Sequence, residues 1–272
     1  MITRFAPSPT GHLHLGHVFA AQVAFERAQE NDGEFLLRFE DIDHTRVREE
    51  FYDAIEEDLQ WLGIHWQQKP WRQRERLPQY ADALEILKSQ GMVYPCFCSR
   101  KEIERELAEL ANAPQGPEGP LYPGTCRNIS ATDVSWKMQQ REPAWRLDTR
   151  KAGQKLTFHD RLYGTIAVDP TLLGDVVLAR KDIGTSYHLA VVVDDHAQNI
   201  SLVTRGEDLL PSTHIQRILQ DLLNFEEPDY EHHQLIRDET GERLAKRNRS
   251  LSIASLRQKG KSASEVLKMI AD

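Results

Sequence analysis

Fourteen residues near the start of the chain constrain its fold more than any other stretch: Arg4-Phe5-Ala6-Pro7-Ser8-Pro9-Thr10-Gly11-His12-Leu13-His14-Leu15-Gly16-His17. A short apolar run ends at Phe5, two prolines forbid a helix for the next few residues, and an apolar-periodic segment starts around Leu13. The order is therefore strand, tight loop, helix. That geometry gathers backbone N–H groups and two imidazoles, His14 and His17, at a helix start, where phosphate binds readily. Gly11 and Gly16 carry no Cβ, so a flat ligand such as adenine can lie against the backbone.

The next segments extend the same pattern. His17 to Asn31 reads as an amphipathic helix with Phe19, Val23 and Ala24 on one side, closed by Asp32-Gly33. From Glu34 to Glu40, Phe35, Leu37 and Phe39 alternate with Leu36, Arg38 and Glu40, as in a strand. Strand, helix, strand is a βαβ unit, hence a parallel sheet of Rossmann type. Ligands of such sheets sit at the carboxyl ends of strands, so Arg4 to Ser8 and Glu40-Asp41 are expected to face one pocket. Asp43 suits a turn or cap. Glu40, at a strand end, can hold the ammonium of an amino acid. Two helices, Arg46 to Leu62 and Pro78 to Gln90, follow across a loop bearing Trp and Arg.

Composition narrows the class. A chain of 272 residues can bury a sizeable core. No apolar run approaches the ~20 residues that span a bilayer, and no basic-then-apolar leader opens the chain. Three cysteines, an odd number, argue against a disulfide framework. A cytoplasmic protein is expected. The net charge of −8 does not favour RNA, but its distribution is uneven. Arg243 to Ser264 holds Arg243, Lys246, Arg247, Arg249, Arg257, Lys259 and Lys261 and no acid. This basic run is either a solvated face or a contact for RNA or nucleotide phosphates.

At Tyr94 the character changes. Cys96-Phe97-Cys98 precedes a charged helix from Ser99 to Ala111 and a loop rich in Pro and Gly, which leads to Tyr122 and Cys126. Two thiols spaced C-x-C and a third 28 residues later are three possible ligands of a tetrahedral metal. A fourth is offered by Tyr122 or by a more distant His159, and free thiols are the alternative. Trp145 to Val168 reads as β structure with a turn at Asp160-Arg161-Leu162-Tyr163-Gly164. Tyr187 to His196 reads as a buried strand, and Asn199 to Arg205 as another. Ser212-Thr213 reads as the cap of a helix ending at Leu223. Asp194, Asp195 and His196 are metal ligands by type, but turn and capping roles fit them better.

His14-Leu15-Gly16-His17 resembles the HIGH motif of class I aminoacyl-tRNA synthetases, and the string Arg4 to Gly16 resembles the glutamyl branch of that class. Tyr187-His-Leu-Ala-Val-Val-Val-Asp-Asp-His and Thr-Arg205-Gly-Glu-Asp-Leu are also similar to glutamyl-tRNA synthetases. Arg243-Leu244-Ala245-Lys246-Arg247 resembles the KMSKS loop, with arginine and alanine where this branch usually has lysine and serine. The cysteines and Tyr122 resemble the Cys-x-Cys…Tyr-x-x-x-Cys zinc site of short glutamyl-type paralogues, which implies a structural Zn²⁺ on Cys96, Cys98, Tyr122 and Cys126. The implied fold is α/β. A Rossmann-type catalytic domain (1–93 and 176–240) carries an inserted α+β zinc-bearing subdomain (94–175), and a KMSKS-like loop and short helical tail follow (241–272).

The implied chemistry is activation of L-glutamate by ATP and Mg²⁺ to glutamyl-adenylate. His14, His17 and Lys246 are the catalytic groups, and Gly11 and Gly16 join them around ATP. Arg4, Ser8, Glu40, Tyr187 and Arg205 are the glutamate-binding set. Beyond about residue 250 only a short helical tail is read, with no anticodon-binding domain. That plan resembles the glutamyl-Q tRNA(Asp) synthetase family, which attaches glutamate to queuosine in the wobble position of tRNA(Asp). The expected partners are glutamate, ATP and queuosine-containing tRNA(Asp), without a membrane, and a monomer is expected. The rival readings are a minimal glutamyl-tRNA synthetase charging an acceptor end, another adenylate-forming ligase, and a non-catalytic zinc-containing RNA-binding module.

Overall fold

In the computed structural model, which describes residues 1–110, 115–117, 119–152, 155–236 and 252–271, strand β1 (Ile2–Phe5), helix α1 (Leu15–Gln29) and strand β2 (Glu34–Phe39) form the expected βαβ unit. β1 and β2 run parallel, from Ile2 beside Glu34 to Phe5 beside Leu37. The turn from α1 into β2 depends on Gly33, because a Cβ there would lie 2.0 Å from the Met1 carbonyl oxygen. Helix α2 (Glu50–Trp61) starts later than the apolar pattern indicates. It leads into β3 (Gln67–Arg72), which is parallel to β2, and then into helix α3 (Leu77–Ser89).

The middle of the chain contributes to three sheets. It holds β4 (Val93–Cys96), α4 (Arg100–Glu109), the short pair β5 (Gln115–Gly116) and β6 (Gly119–Pro120), and α5 (Ala131–Met138). Strands β7 (Ala144–Leu147), β8 (Thr157–Asp160), β9 (Gly164–Ala167) and β10 (Val177–Ala179) follow. Ser99 caps α4 reciprocally with Glu102: the Ser99 hydroxyl accepts from the Glu102 N–H at 3.2 Å, and the Glu102 carboxylate accepts from the Ser99 N–H at 2.6 Å. β7 is the middle strand of an antiparallel sheet, between β4 and β10.

Helix α6 (Tyr187–Ala197), strand β11 (Leu202–Gly206), helix α7 (Leu210–Leu222) and strand β12 (Asp229–His233) complete the second half. β11 pairs in parallel with β12, β12 with β8 at Tyr230 and Asp160, and β8 forms a hairpin with β9. The Ser201 N–H donates to the Ile2 carbonyl at 3.0 Å, which brings the start of β11 beside β1. Helices cover both sides. Phe35, Leu37 and Phe39 pack into a core with α1 and α2, whereas Leu36 joins Phe158, Val203 and Tyr230 on the other face. Leu189, Val191 and Ile215 belong to a further core built by α3, α6 and α7.

Two local expectations are corrected. Tyr187 to His196 lies in helix α6, not in a strand. Three consecutive valines favour a strand, but Leu189 to Asp195 is buried all round between α3 and α7, and a short apolar run carries no periodicity to separate the two states. Asp194, Asp195 and His196 are therefore helical, not turn residues. Ser212 and Thr213 do not cap α7 either. The helix begins at Leu210 with Pro211 in its first turn, and both hydroxyl residues are buried inside it.

The last helices, α8 (Ile253–Gln258) and α9 (Ala263–Ala271), fold back on α1, burying Ile253, Leu256, Val266 and Ile270 in the first core. Two cations of the basic run are engaged there, Arg257 with Asp58 at 3.0 Å and Lys261 with Glu265 at 3.2 Å. Among the described residues no helix is long and apolar enough to cross a membrane.

Candidate active site at the ends of the parallel strands

The loop after β1 frames a cavity of about 630 Å³, lined by Ser8, Thr10, Gly11, His14, His17 and Ser252 among others. His14 is the residue preceding α1, and its ring stacks on that of His17, with centroids 3.6 Å apart. The His14 N–H points to His17 Nδ1 at 3.4 Å. A Cβ placed on Gly11 would meet nothing within 4 Å, so that side of the loop is open. The far end of the chain closes the same cavity: Ser252 bridges to His14, and the Ile253 N–H donates to the Leu13 carbonyl at 2.9 Å. Arg243 to Arg247, with Lys246, lies outside the described residues.

A second cavity of about 350 Å³ adjoins the first and shares Ser8, Thr10 and Arg46 with it. Glu40, Ser186, Tyr187 and His188 line it. The side-chain oxygen of Ser186 and Nδ1 of His188 are buried without a hydrogen-bond partner, as befits a space that receives a polar ligand. Burial, then Arg205, pushes the His188 imidazole down to about 4, so it is neutral at physiological pH. Burial pushes the Glu40 carboxyl up to about 7 against the pull of Arg38 and Arg4.

Beneath Glu40 lies a buried ionic cluster. Arg38 is fully buried, 2.7 Å from Asp195, 3.8 Å from Asp194 and 4.0 Å from Glu40. Arg4 turns Nε to Asp195 at 3.0 Å and Nη1 to the Thr204 carbonyl at 3.3 Å. Asp194 accepts from Arg76, Gln73 and the Tyr80 hydroxyl at 2.6–3.0 Å. Burial alone would raise the Asp195 carboxyl, but Arg4 and Arg38 hold it below the usual carboxylate range. The adjacent aspartates of α6 are thus counterions of buried arginines.

Arg205 is held differently. Its Nε donates to His232 Nε2 at 3.0 Å, Nη1 to the Tyr187 hydroxyl at 3.2 Å and Nη2 to Thr213 Oγ1 at 2.7 Å. Among the described residues no carboxylate pairs with it. The five residues expected to bind an amino acid therefore divide. Ser8, Glu40 and Tyr187 line the second cavity, Arg205 reaches it through Tyr187, and Arg4 lies in the ionic cluster.

The sequence reading missed Arg38, Arg46, Arg76, Tyr80, Ser186, Asp160 and His232. Arg38 carried a usable signal, since a lone arginine in the run Phe-Leu-Leu-Arg-Phe of a doubly covered parallel strand must be buried and paired. His232 carried none, because Asp229-Tyr-Glu-His-His shows neither alternation nor an apolar run.

Away from this site, Cys96, Cys98 and Cys126 place their sulfurs within 4.8 Å of one another. The Tyr122 oxygen is 3.3 Å from the Cys96 sulfur and 3.6 Å from that of Cys98. His159, the other candidate, is exposed on β8 and is not part of the cluster. Ligands of a tetrahedral zinc stand about 3.8 Å apart for two sulfurs and about 3.5 Å for sulfur and oxygen, so the arrangement fits a metal with little adjustment. The Cys126 N–H donates to the Tyr122 oxygen at 2.9 Å and the Phe97 N–H to the Cys126 sulfur at 3.4 Å, bonds that favour deprotonated ligands. The Arg146 guanidinium lies 3.8 Å from the Tyr122 ring centre.

The family model described as tRNA synthetases class I (E and Q), catalytic domain, matches residues 1–271. A protein of Rhodobacter capsulatus named glutamyl-Q tRNA(Asp) synthetase is 46% identical over 278 residues, covering 99% of both chains. Its namesake from Nitratidesulfovibrio vulgaris is 43% identical, over 98% of this chain and 84% of that protein. Among solved structures, a glutamate tRNA ligase from Elizabethkingia meningosepticum, crystallised with its amino acid, superposes with a TM-score of 0.78 at 29% identity. That match covers 91% of this chain, which spans about half (52%) of the ligase.

Proposed function

The chain belongs to the catalytic-domain family of the class I tRNA synthetases for glutamate and glutamine, and on that premise we propose that it is a glutamyl-Q tRNA(Asp) synthetase. It activates L-glutamate with ATP and transfers the glutamyl group to queuosine at the wobble position of tRNA(Asp). The observation that carries the reading is the pair of adjoining cavities meeting at Ser8 and Thr10, one at a helix start with two histidines and the other with Glu40, Tyr187 and the reach of Arg205. The choice of queuosine rests on the two relatives so named, which match this chain over 98–99% of its length.

ATP occupies the larger cavity, its adenine against the open face of Gly11 and its phosphates toward the start of α1, with Gly16 in the first turn. His14 and His17 offer N–H groups to the α-phosphate and the departing pyrophosphate. Lys246 serves the same phosphates, as the likeness of Arg243 to Arg247 to the KMSKS loop implies. Mg²⁺ bound with ATP supplies further charge neutralisation. Glutamate lies in the smaller cavity with its ammonium on Glu40. Arg205 and Tyr187 meet a carboxylate, Ser8 adds a hydroxyl at the junction, and Arg4 contributes the donors that Asp195 and Thr204 leave over. The α-carboxylate attacks the α-phosphorus, which requires alignment and charge compensation but no protein nucleophile.

Residues 94–175 are the inserted segment, of which β8 and β9 join the sheet of β11 and β12 while the part bearing the cysteines meets the RNA. Cys96, Cys98, Tyr122 and Cys126 hold a structural Zn²⁺, which staples this part. The enzyme works as a cytoplasmic monomer. The test is glutamate-dependent ATP–pyrophosphate exchange with and without tRNA, followed by mapping of labelled glutamate. Label on queuosine of tRNA(Asp) alone is expected. Label on the acceptor end of tRNA(Glu) would make this a minimal synthetase, and absence of exchange would sink the catalytic reading.

A further inference from the structure

The adenylation chemistry leaves a buried chain of side chains behind Arg205 unused. Asp160 closes β8, and its Oδ1 accepts from the N–H groups of Leu162 and Tyr163 at 2.9 and 3.0 Å. Its Oδ2 accepts from the His232 backbone N–H at 3.2 Å and lies 2.6 Å from His232 Nδ1. Burial works against ionisation of this carboxyl, but the bonds from His232, Leu162 and Tyr163 hold it below the usual range. An ionised carboxylate only accepts hydrogen bonds, so the proton between the two groups resides on Nδ1.

The other side of the ring then follows. Burial, then the charge of Arg205, pushes the His232 imidazole down to about 4, so the ring is neutral and has a single N–H. With that N–H on Nδ1, Nε2 carries a lone pair. It accepts from Arg205 Nε at 3.0 Å and lies 3.1 Å from Thr213 Oγ1. Both residues are fully buried, with no exposed His232 or Asp160 surface. The guanidinium plane is thereby fixed by His232 and Thr213 along its Nε–Nη2 edge and by Tyr187 at Nη1, all without a counter-charge.

We propose that Asp160 and His232 are positioning residues for recognition of the substrate's carboxylate. The carboxylate of Asp160 selects the imidazole tautomer, and the imidazole orients Arg205 without neutralising it. A carboxylate in place of His232 would orient the guanidinium equally well but would compete with the substrate for its charge. The neutral relay leaves that charge to the side-chain carboxylate of glutamate, and so favours glutamate over glutamine, whose side chain is uncharged. The inference rests on the proposed assignment of Arg205 to glutamate.

Exchange kinetics of Asp160→Asn and His232→Gln test it on the full chain. A carboxamide at 160 turns an N–H toward Nδ1, moves the ring proton to Nε2 and sets it against the Arg205 Nε–H. The expected result is a KM for glutamate raised about ten- to a hundredfold. KM for ATP stays within about twofold and the preference over glutamine falls in parallel. His232→Gln can accept from Arg205 and donate to Asp160, and it keeps KM for glutamate within about fivefold of the unaltered chain. Equal damage to both substrates, or an unchanged KM for glutamate in Asp160→Asn, overturns the proposal.

Nitrogen NMR of labelled histidine reads the relay without the reaction. The unaltered chain should show His232 as the Nδ1–H tautomer at neutral pH and Asp160→Asn as the Nε2–H form; an Nε2–H ring in the unaltered chain overturns the relay. Lack of glutamate-dependent exchange by the unaltered chain overturns the glutamate assignment, and with it the positioning role of Asp160 and His232. The tautomer distinguishes that case from failure of the relay alone.

Discussion

Arg4 and Arg205 are both buried and each spends three N–H groups on protein partners, yet they face opposite surroundings. Arg4 shares a cluster with Arg38, Asp194 and Asp195, where positive and negative groups answer one another within 2.7–3.8 Å. Arg205 sits among a neutral imidazole, a phenol and a hydroxyl. The first arrangement is balanced in charge without a ligand and is suited to hold β1, β2 and α6 together. The second carries a charge that nothing among the described residues balances, and such a charge is costly until an anion arrives. Type and burial are the same in the two arginines, so their neighbours decide which has its charge answered within the protein and which keeps it for the substrate.

Substitution of one arginine from each region separates the two. Arg38→Met removes a fully buried cation and leaves Asp195 with Arg4 alone. A loss of about 3–5 kcal/mol in denaturant unfolding is expected, the cost of breaking a buried pair from one side. A loss below about 1 kcal/mol would mean that the cluster is not a structural unit. Arg205→Met strands no buried carboxylate, so its stability should fall less. Its kcat/KM for glutamate in pyrophosphate exchange should fall roughly a hundred- to a thousandfold, the worth of two charge-assisted hydrogen bonds. If both substitutions hurt stability and catalysis alike, the contrast between the regions is wrong.

How much of this was legible in the sequence follows from the same contrast. The loop from Arg4 to His17 and the βαβ unit after it were readable because prolines, glycines and alternating apolar residues act locally. Glu40 was read from its place at a strand end and Tyr187 from string resemblance, and both line the smaller cavity. The Asp194-Asp195 pair was misread as turn chemistry because its partners, Arg4, Arg38 and Arg76, are far away in sequence and α6 looked like a strand. His232 and Asp160 meet only because β12 and β8 pair in the sheet, a long-range event that no window of sequence records. Cys96, Cys98 and Cys126 were readable by type and spacing. The approach of Tyr122 to them depends on how the intervening chain folds back.

Glu40 stands between the two regions, 4.0 Å from Arg38 below and open to the smaller cavity above. Its carboxyl is pushed up to about 7 by burial, with Arg38 and Arg4 opposing. An ammonium is held by the ionised form only. Raising the pH from 6 to 8 takes that form from about a tenth to about nine-tenths of the molecules, so kcat/KM for glutamate should rise about tenfold and then level off. Stability runs the other way. The folded state binds more protons than the unfolded state between the ordinary carboxylate range and pH 7, so without ligand this group's contribution is lost as pH rises through that window.

Saturating glutamate should flatten the stability slope, because the bound ammonium lowers the pKa of Glu40. Asp195, held ionised by two arginines, gives no titration in this range, and the His188 and His232 rings are already neutral there. Glu40→Gln should therefore remove the rise in kcat/KM, leaving a low and level profile. A level profile in the unaltered chain would place the ammonium elsewhere, and Glu40 would then belong with Arg4 and Arg38 to the structural cluster.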